Sequence, residues 1–117
     1  MHEHIPTDIR LHQQSRKLEI AFATGEVFEL TCEFLRVHSP SAEVRGHSPE
    51  QATLQLGKQD VNIKAIEPIG NYAVKLVFDD GHETGLYTWD YLYELGSRHD
   101  DYWRRYQEAV RAADAAR

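Results

Sequence analysis

Residues 66–96 read IEPIGNYAVKLVFDDGHETGLYTWDYLYELG. Within them Tyr72, Val74, Leu76 and Phe78 recur at every second position, the period of a strand with one buried face. Asp79-Asp80-Gly81-His82 follows, and Asp-Gly is a strong hairpin signal because glycine takes a positive φ without a Cβ clash. A short return strand is predicted over Glu83 to Tyr87. Thr88 or Asp90 then caps a helix that Gly96 ends. Upstream, Val61, Ile63 and Ala65 also alternate, and Pro68-Ile69-Gly70-Asn71 supplies the turn between the two strands. The stretch therefore predicts antiparallel strands joined by tight turns, with a helix behind them.

The same pattern extends towards the N-terminus. Ile9, Leu11 and Gln13 form a weak alternation, and Leu18, Ile20 and Phe22 a clean one. After Ala23-Thr24-Gly25-Glu26 the alternation resumes at Phe28 and Leu30, which predicts a second hairpin. Thr31 is placed to cap a short helix from Cys32 to Val37, and Ser39-Pro40 stops it. The segment LRVHSPSAEVRGH, residues 35–47, opens an irregular stretch that runs to about Gly57. Inside it, Ser48-Pro49-Glu50-Gln51 resembles a capping box that starts no more than one turn of helix. At the other end, Ser97 begins a last helix. On it Tyr102, Tyr106, Ala109, Val110 and Ala113 are spaced by threes and fours, a stripe predicted to face the sheet. The tail AADAAR is expected to fray. The fold class is α+β, mostly antiparallel β-hairpins packed against one or two C-terminal helices. Residues 1–117 are read as a single domain, with 98–117 a C-terminal helix and frayed tail.

A chain of 117 residues can bury roughly two-thirds of its unfolded surface, enough for one core without staples. The hydrophobic share is 41% and the charged share 27%, ordinary values for a soluble domain. A formal net charge of −6 argues against nucleic acid as the main partner, since that binding rests on Lys and Arg neutralising phosphates. No apolar run approaches the length of a membrane span. MHEHIPTDIR lacks a basic region followed by an apolar core, so no signal peptide is expected. The single Cys32 forms neither an internal disulfide nor a Cys-based metal site, and reads as a small buried hydrophobe. A reduced, cytoplasmic location fits this composition.

Seven histidines make metal binding and proton transfer the chemistries to weigh. His47 and His82 each follow a glycine in a turn, where a ring nitrogen can point outward. Asp79, Asp80 and Glu83 flank His82 and could add an oxygen ligand. His99-Asp100-Asp101 matches half of an iron facial triad, but no histidine follows His99. The two acids there suit a helix start instead. His2-Glu3-His4 is a terminus that could scavenge metal nonspecifically. Cys32 near a helix start has no locatable base partner. Ser39, Ser41 and Ser48 lie among histidines without a nucleophile-elbow pattern, and no glycine loop cradles phosphate. Tyr87, Trp89, Tyr91, Tyr93, Tyr102 and Trp103 cluster in the last third. A helix of about eight residues cannot bury all of its aromatics on one face, so some are expected at the surface or against a partner. Arg98, Arg104, Arg105 and Arg111 read as a solvated face.

SPSAEVRGH, residues 66–96 and the opening IRLHQQSRKLEIAFATGEVFEL together resemble the standalone bacterial members of the gamma-butyrobetaine hydroxylase-like N-terminal domain family, also called DUF971. The resemblance covers about residues 7 to 97. It implies a small α+β accessory domain, of a kind fused in front of carnitine-synthesis hydroxylases and behind P-loop proteins that carry iron–sulfur clusters. In the hydroxylases such a domain holds zinc through three Cys after a Leu-Arg pair and one His after a hairpin turn. Leu35-Arg36 matches the pair and His82 the histidine, whereas Ser39, Ser41 and Val44 stand where the cysteines would fall. The loop is then expected to be held by protein contacts. Ser39 and Ser41 would bond backbone groups, Pro40 would limit the chain, Glu43 and Arg45 would pair with neighbours, and Arg36 would order it.

The expected function is a non-catalytic accessory or protein-interaction domain, linked through the family's fusions to iron–sulfur or hydroxylase-type metabolism. Its surface is Arg36, Ser39, Ser41, Glu43, His47, Asp80, His82, Tyr87, Trp89 and Tyr91. A protein partner is expected, with no nucleic acid and no membrane. No cofactor is expected on this reading. The alternative is a metal-binding or metal-delivery protein that holds zinc or iron through His47 and His82, with Asp80 as a further ligand. A small enzyme ranks last, since no nucleophile–base pair or cofactor motif is seen.

Overall fold

Alternating apolar residues place two hairpin systems around one core. A computed structural model describes residues 4–41 and 54–115. The first sheet contains β1 (Pro6–His12), β2 (Lys17–Phe22) and β3 (Val27–Thr31), antiparallel in that order. Leu11 lies opposite Leu18, Leu18 opposite Leu30, and Ile20 opposite both Ile9 and Phe28. The apolar set therefore shares one face, while Lys17, Glu19 and Glu29 share the other. The Ala23–Glu26 turn closes the hairpin with Gly25 at φ +104°. Before β2, Arg16 takes φ +54°, uncommon for a residue with a side chain. Its carbonyl accepts the Cys32 amide at 2.9 Å.

The second sheet contains β4 (Ile63–Ile69), β5 (Ala73–Phe78) and β6 (Leu86–Thr88), again antiparallel in order. Two boundaries differ from the sequence reading. Pro68 and Ile69 lie in β4, opposite Val74 and Ala73, and not in the turn. Because β4 is an edge strand, a residue without an N–H is tolerated there. The return strand starts at Leu86 and not at Glu83. The intervening segment leaves the ladder to meet the chain after the first helix. A Cβ on Gly85 would sit 2.3 Å from Ser39 Oγ.

Helix α1 (Cys32–Val37) starts where expected, with the Phe34 amide donating to Thr31 Oγ1 at 3.1 Å. Helix α2 (Trp89–Ser97) is capped by Thr88, whose hydroxyl accepts the Tyr91 amide at 3.2 Å. Gly96 lies inside α2 and does not end it. Its role is spatial, since a Cβ there would lie 2.4 Å from the Phe28 ring. Helix α3 (His99–Ala115) then begins at His99. Its stripe does not face a sheet. Tyr102, Trp103 and Tyr106 lie beside Phe34 and His38 on or next to α1, with ring centroids 5.3–6.3 Å apart. Ala109 is exposed, and the helix runs on to Ala115, into the segment expected to fray. Tyr102 donates to Glu94 across the α2–α3 junction, and that bond pushes its hydroxyl up to about 12.

One buried cluster joins Leu18, Ile20, Phe34, Phe78, Leu92 and Leu95. Each such side chain contributes roughly 1.5–3 kcal/mol on removal from water. The result is an α+β architecture of two three-stranded antiparallel sheets with C-terminal helices. Among the described residues no helix is long and apolar enough to cross a membrane.

Candidate functional site

The chain leaves α1 directly beneath the β5–β6 hairpin. Gly81 at φ +93° lets that turn close, with the Phe78 amide donating to the His82 carbonyl at 3.0 Å. The His82 ring then points inward. It is 7% exposed, and its Nε2 lies 2.8 Å from Ser39 Oγ. Ser39 is fully buried, and its hydroxyl also accepts the Ser41 amide at 3.3 Å. Ser41 Oγ meets Thr84 Oγ1 at 2.7 Å. A ladder of hydroxyls and one imidazole thus joins the end of α1 to the hairpin. Gly85 is the residue that lets the two backbones approach.

A charged layer lies beside it. Asp80 Oδ2 accepts from Arg36 Nε at 2.9 Å and from Lys58 Nζ at 2.8 Å, and Oδ1 accepts the His82 amide at 3.1 Å. Burial pushes the Asp80 carboxyl up. The Lys58, His82 and Arg36 hydrogen bonds and the Arg36 charge outweigh it, and the carboxyl falls to about 2. Arg36 is buried and donates its Nη1 to Gln55 Oε1 at 3.1 Å. Asp79 holds the Asn62 amide at 3.0 Å, and Asn62 Nδ2 reaches the Gln13 carbonyl at 2.9 Å. The turn is therefore tied to both sheets.

The aromatic segment closes the other side. Tyr87 is fully buried and donates to the Leu35 carbonyl at 2.5 Å; Tyr91 donates to the His38 carbonyl at 2.6 Å. Both acceptors lie at the C-terminal end of α1, where helix carbonyls lack partners. Trp89 is half-buried, and its Nε1 donates to the Asn71 carbonyl at 2.8 Å.

These positions correct the surface read from sequence. Arg36, Ser39, Ser41, His82 and Tyr87 are buried and hold the fold. His82 points into the protein, where its buried imidazole gains a hydroxyl partner in place of water. Ser39 and Ser41 also reach side chains, not only backbone. Asp80, Trp89 and Tyr91 retain partial exposure. Glu43, Val44, Arg45, His47 and the 48–51 capping box lie outside the described residues. Thr84, Lys58, Gln55 and Asn62 complete the network, and nothing in their spacing marked them. Only the Thr84-Gly85 pair after the turn hinted at a close approach.

The other candidates fall into place separately. Cys32 is buried in the core, and burial pushes its thiol up, away from nucleophile behaviour. His99 meets Asp100 at 3.1 Å and stacks on Trp103 at the start of α3. His4 stacks on Tyr93 at 3.7 Å between ring centroids and bonds Asp90 at 3.2 Å. Among the described residues no three His, Cys, Asp or Glu side chains gather as a metal-ligand set. The His82 Nε2 is turned onto the Ser39 hydroxyl, and the Asp80 carboxylate nearby is taken up by Arg36, Lys58 and the His82 amide. The described residues therefore do not fit a hydroxylase-type zinc centre.

Comparison with known proteins agrees with this framework. The family model for the gamma-butyrobetaine hydroxylase-like N-terminal domain matches residues 9–93. Two structures solved by solution NMR are similar, at 54% and 49% identity with TM-scores of 0.81 and 0.83. Each covers 95% of this chain, and 83% and 87% of their own chains are matched. A crystal structure of a protein of unknown function in the DUF971 family, from Acidithiobacillus ferrooxidans, is 40% identical with a TM-score of 0.66, covering 78% of this chain and 91% of that one. No curated protein matches the chain.

Proposed function

The chain belongs to the gamma-butyrobetaine hydroxylase-like N-terminal (DUF971) family, and on that premise we propose that it is a non-catalytic accessory domain acting through contact with a protein partner. The observation that carries this reading is the inward His82, paired with Ser39 in a buried ladder. The side chains best suited to chemistry are engaged in joining α1 to the hairpin. Beside the exposed polar residues Asp79, Glu83 and Thr84, two larger apolar or aromatic side chains also face solvent nearby. Tyr72 is 39% exposed and Leu86 42% exposed. Trp89 is bonded to the 71–72 turn through both its indole and its amide. Exposed aromatic and aliphatic groups on a rigid frame are the usual anchors of protein contacts. The family's fusions favour a partner from hydroxylase-type or iron–sulfur metabolism, a fold-level analogy.

Two measurements test the reading. Affinity capture should recover a defined partner with the natural protein and lose it with Leu86→Asp or Trp89→Ala, provided circular dichroism shows both variants folded. Recovery unchanged by either substitution rules out this surface. Metal analysis of untagged protein should give substoichiometric zinc and iron. A stoichiometric ion lost in His82→Ala would replace this function with metal binding.

A further inference from the structure

A groove of about 460 Å³ runs between α3 and the start of α1 and shares no lining residue with the Ser39–His82 ladder. Trp103, Tyr106 and Val110 supply its apolar wall, and Glu33, Gln59 and Arg111 its polar edge. The aromatic wall is held in place. Trp103 and Tyr106 are stacked, with centroids 5.4 Å apart and planes at 26°. Tyr106 donates its hydroxyl to the Gln55 carbonyl at 2.7 Å, and Trp103 lies 6.1 Å from the buried Phe34 ring. The polar edge carries one charge of each sign, Glu33 and Arg111, with no ion pair between them among the described residues. Glu33 is half-buried on α1 and has no ion-pair partner among the described residues. Burial, then the charge of Asp60, pushes its carboxyl up. Arg111 borders the same groove without pairing to it. Trp103 is stacked on both His99 and Tyr106, so the pull on a cation comes from the unpaired carboxylate, and Arg111 opposes it. The volume falls within the roughly 300–1,000 Å³ of small-molecule sites and is too large for a bare ion.

We propose that this groove binds a small organic cation, an ammonium head on an apolar stem, with the head at Glu33 and the stem across Trp103 and Tyr106. The assignment goes beyond the accessory function and does not depend on it. An anion drawn to Arg111 would meet Glu33 in the same groove, and a purely apolar ligand would leave the carboxylate half-buried and unpaired.

The test is a ¹⁵N-correlation NMR titration of the full chain with n-butylammonium chloride, against sodium butyrate at matched ionic strength. Saturable shifts are expected at the Trp103 indole and neighbouring α3 amides with the amine and not with butyrate. The Trp89 indole should stay unmoved and reports an intact fold. Glu33→Gln keeps the side chain's size and should weaken amine binding about tenfold, while Arg111→Gln removes a like charge and should leave it equal or tighter. Equal shifts with butyrate, an unchanged affinity in Glu33→Gln, or no saturation would each overturn the proposal. N-acetyl-lysine N-methylamide is the third probe. If it binds more tightly than butylammonium, the groove belongs to a protein's lysine and the small-molecule assignment falls.

Discussion

Ser39 and Gly85 show how much depends on single atoms at the α1–hairpin junction. Ser39→Ala leaves a buried imidazole nitrogen without its hydroxyl, and such an orphaned group costs about 1–3 kcal/mol. A lower urea midpoint with an unchanged slope is the expected result. Gly85→Ala places a Cβ within 2.3 Å of Ser39 Oγ, so the ladder must open. A loss of about 1–3 kcal/mol is expected from overpacking, with weakened hydrogen-exchange protection at Ser41. Asp80 contributes to stability in acid. Its folded carboxyl lies at about 2 against an ordinary 3.8, so the folded state favours the ionised form. That stabilisation is fully present above the ordinary value and is lost as pH falls from about 4 towards 2. Asp80→Asn should flatten this part of the stability–pH curve; an unchanged slope would mean that the Arg36 and Lys58 contacts do not persist in solution. Much of this was hidden in the sequence. The Ser39 and His82 types were conspicuous, but their 2.8 Å contact joins positions 43 residues apart, and no local pattern encodes such a meeting.

At the scale of elements, capping residues and glycines carry opposite lessons. Thr31 was legible as a cap, and Thr88 was one of two candidates, because a hydroxyl before a helix satisfies an otherwise unpaired amide. Thr88→Ala should cost about 1 kcal/mol in denaturant unfolding. Gly96 was misread. Glycine near the end of a helical pattern ordinarily marks its stop, yet here it admits the Phe28 ring. Gly96→Ala would raise intrinsic helix propensity by up to about 1 kcal/mol. The clash with a ring packed against Phe22 and Tyr93 reverses the sign, and a net lower melting temperature is expected. A higher one would show that Phe28 yields easily. β6 is shorter than its sequence suggested for the same kind of reason, since His82 and Thr84 bond Ser39 and Ser41 after α1 and the 82–85 segment leaves the ladder.

Over the whole molecule, α3 lies beyond the matched residues 9–93, yet its aromatics cover Phe34 and His38 at the edge of the core. A chain ended after Arg98 should keep both sheets by hydrogen exchange but lose stability and bind a hydrophobic dye. An unchanged midpoint would show that α3 adds nothing to the core. The period-two patterns, the Gly25 and Gly81 turns, the threonine cap of α1 and the α+β class were all determined by the sequence itself. Each is a local consequence of side-chain alternation or backbone freedom, acting over a few residues. Tertiary structure alone decided that His82 turns inward onto Ser39, that Tyr87 and Tyr91 close the end of α1, and that the α3 stripe meets α1 and not a sheet. Those outcomes depend on which distant surfaces meet when the two sheets close on one core, and burial then selects the partner each polar group must find.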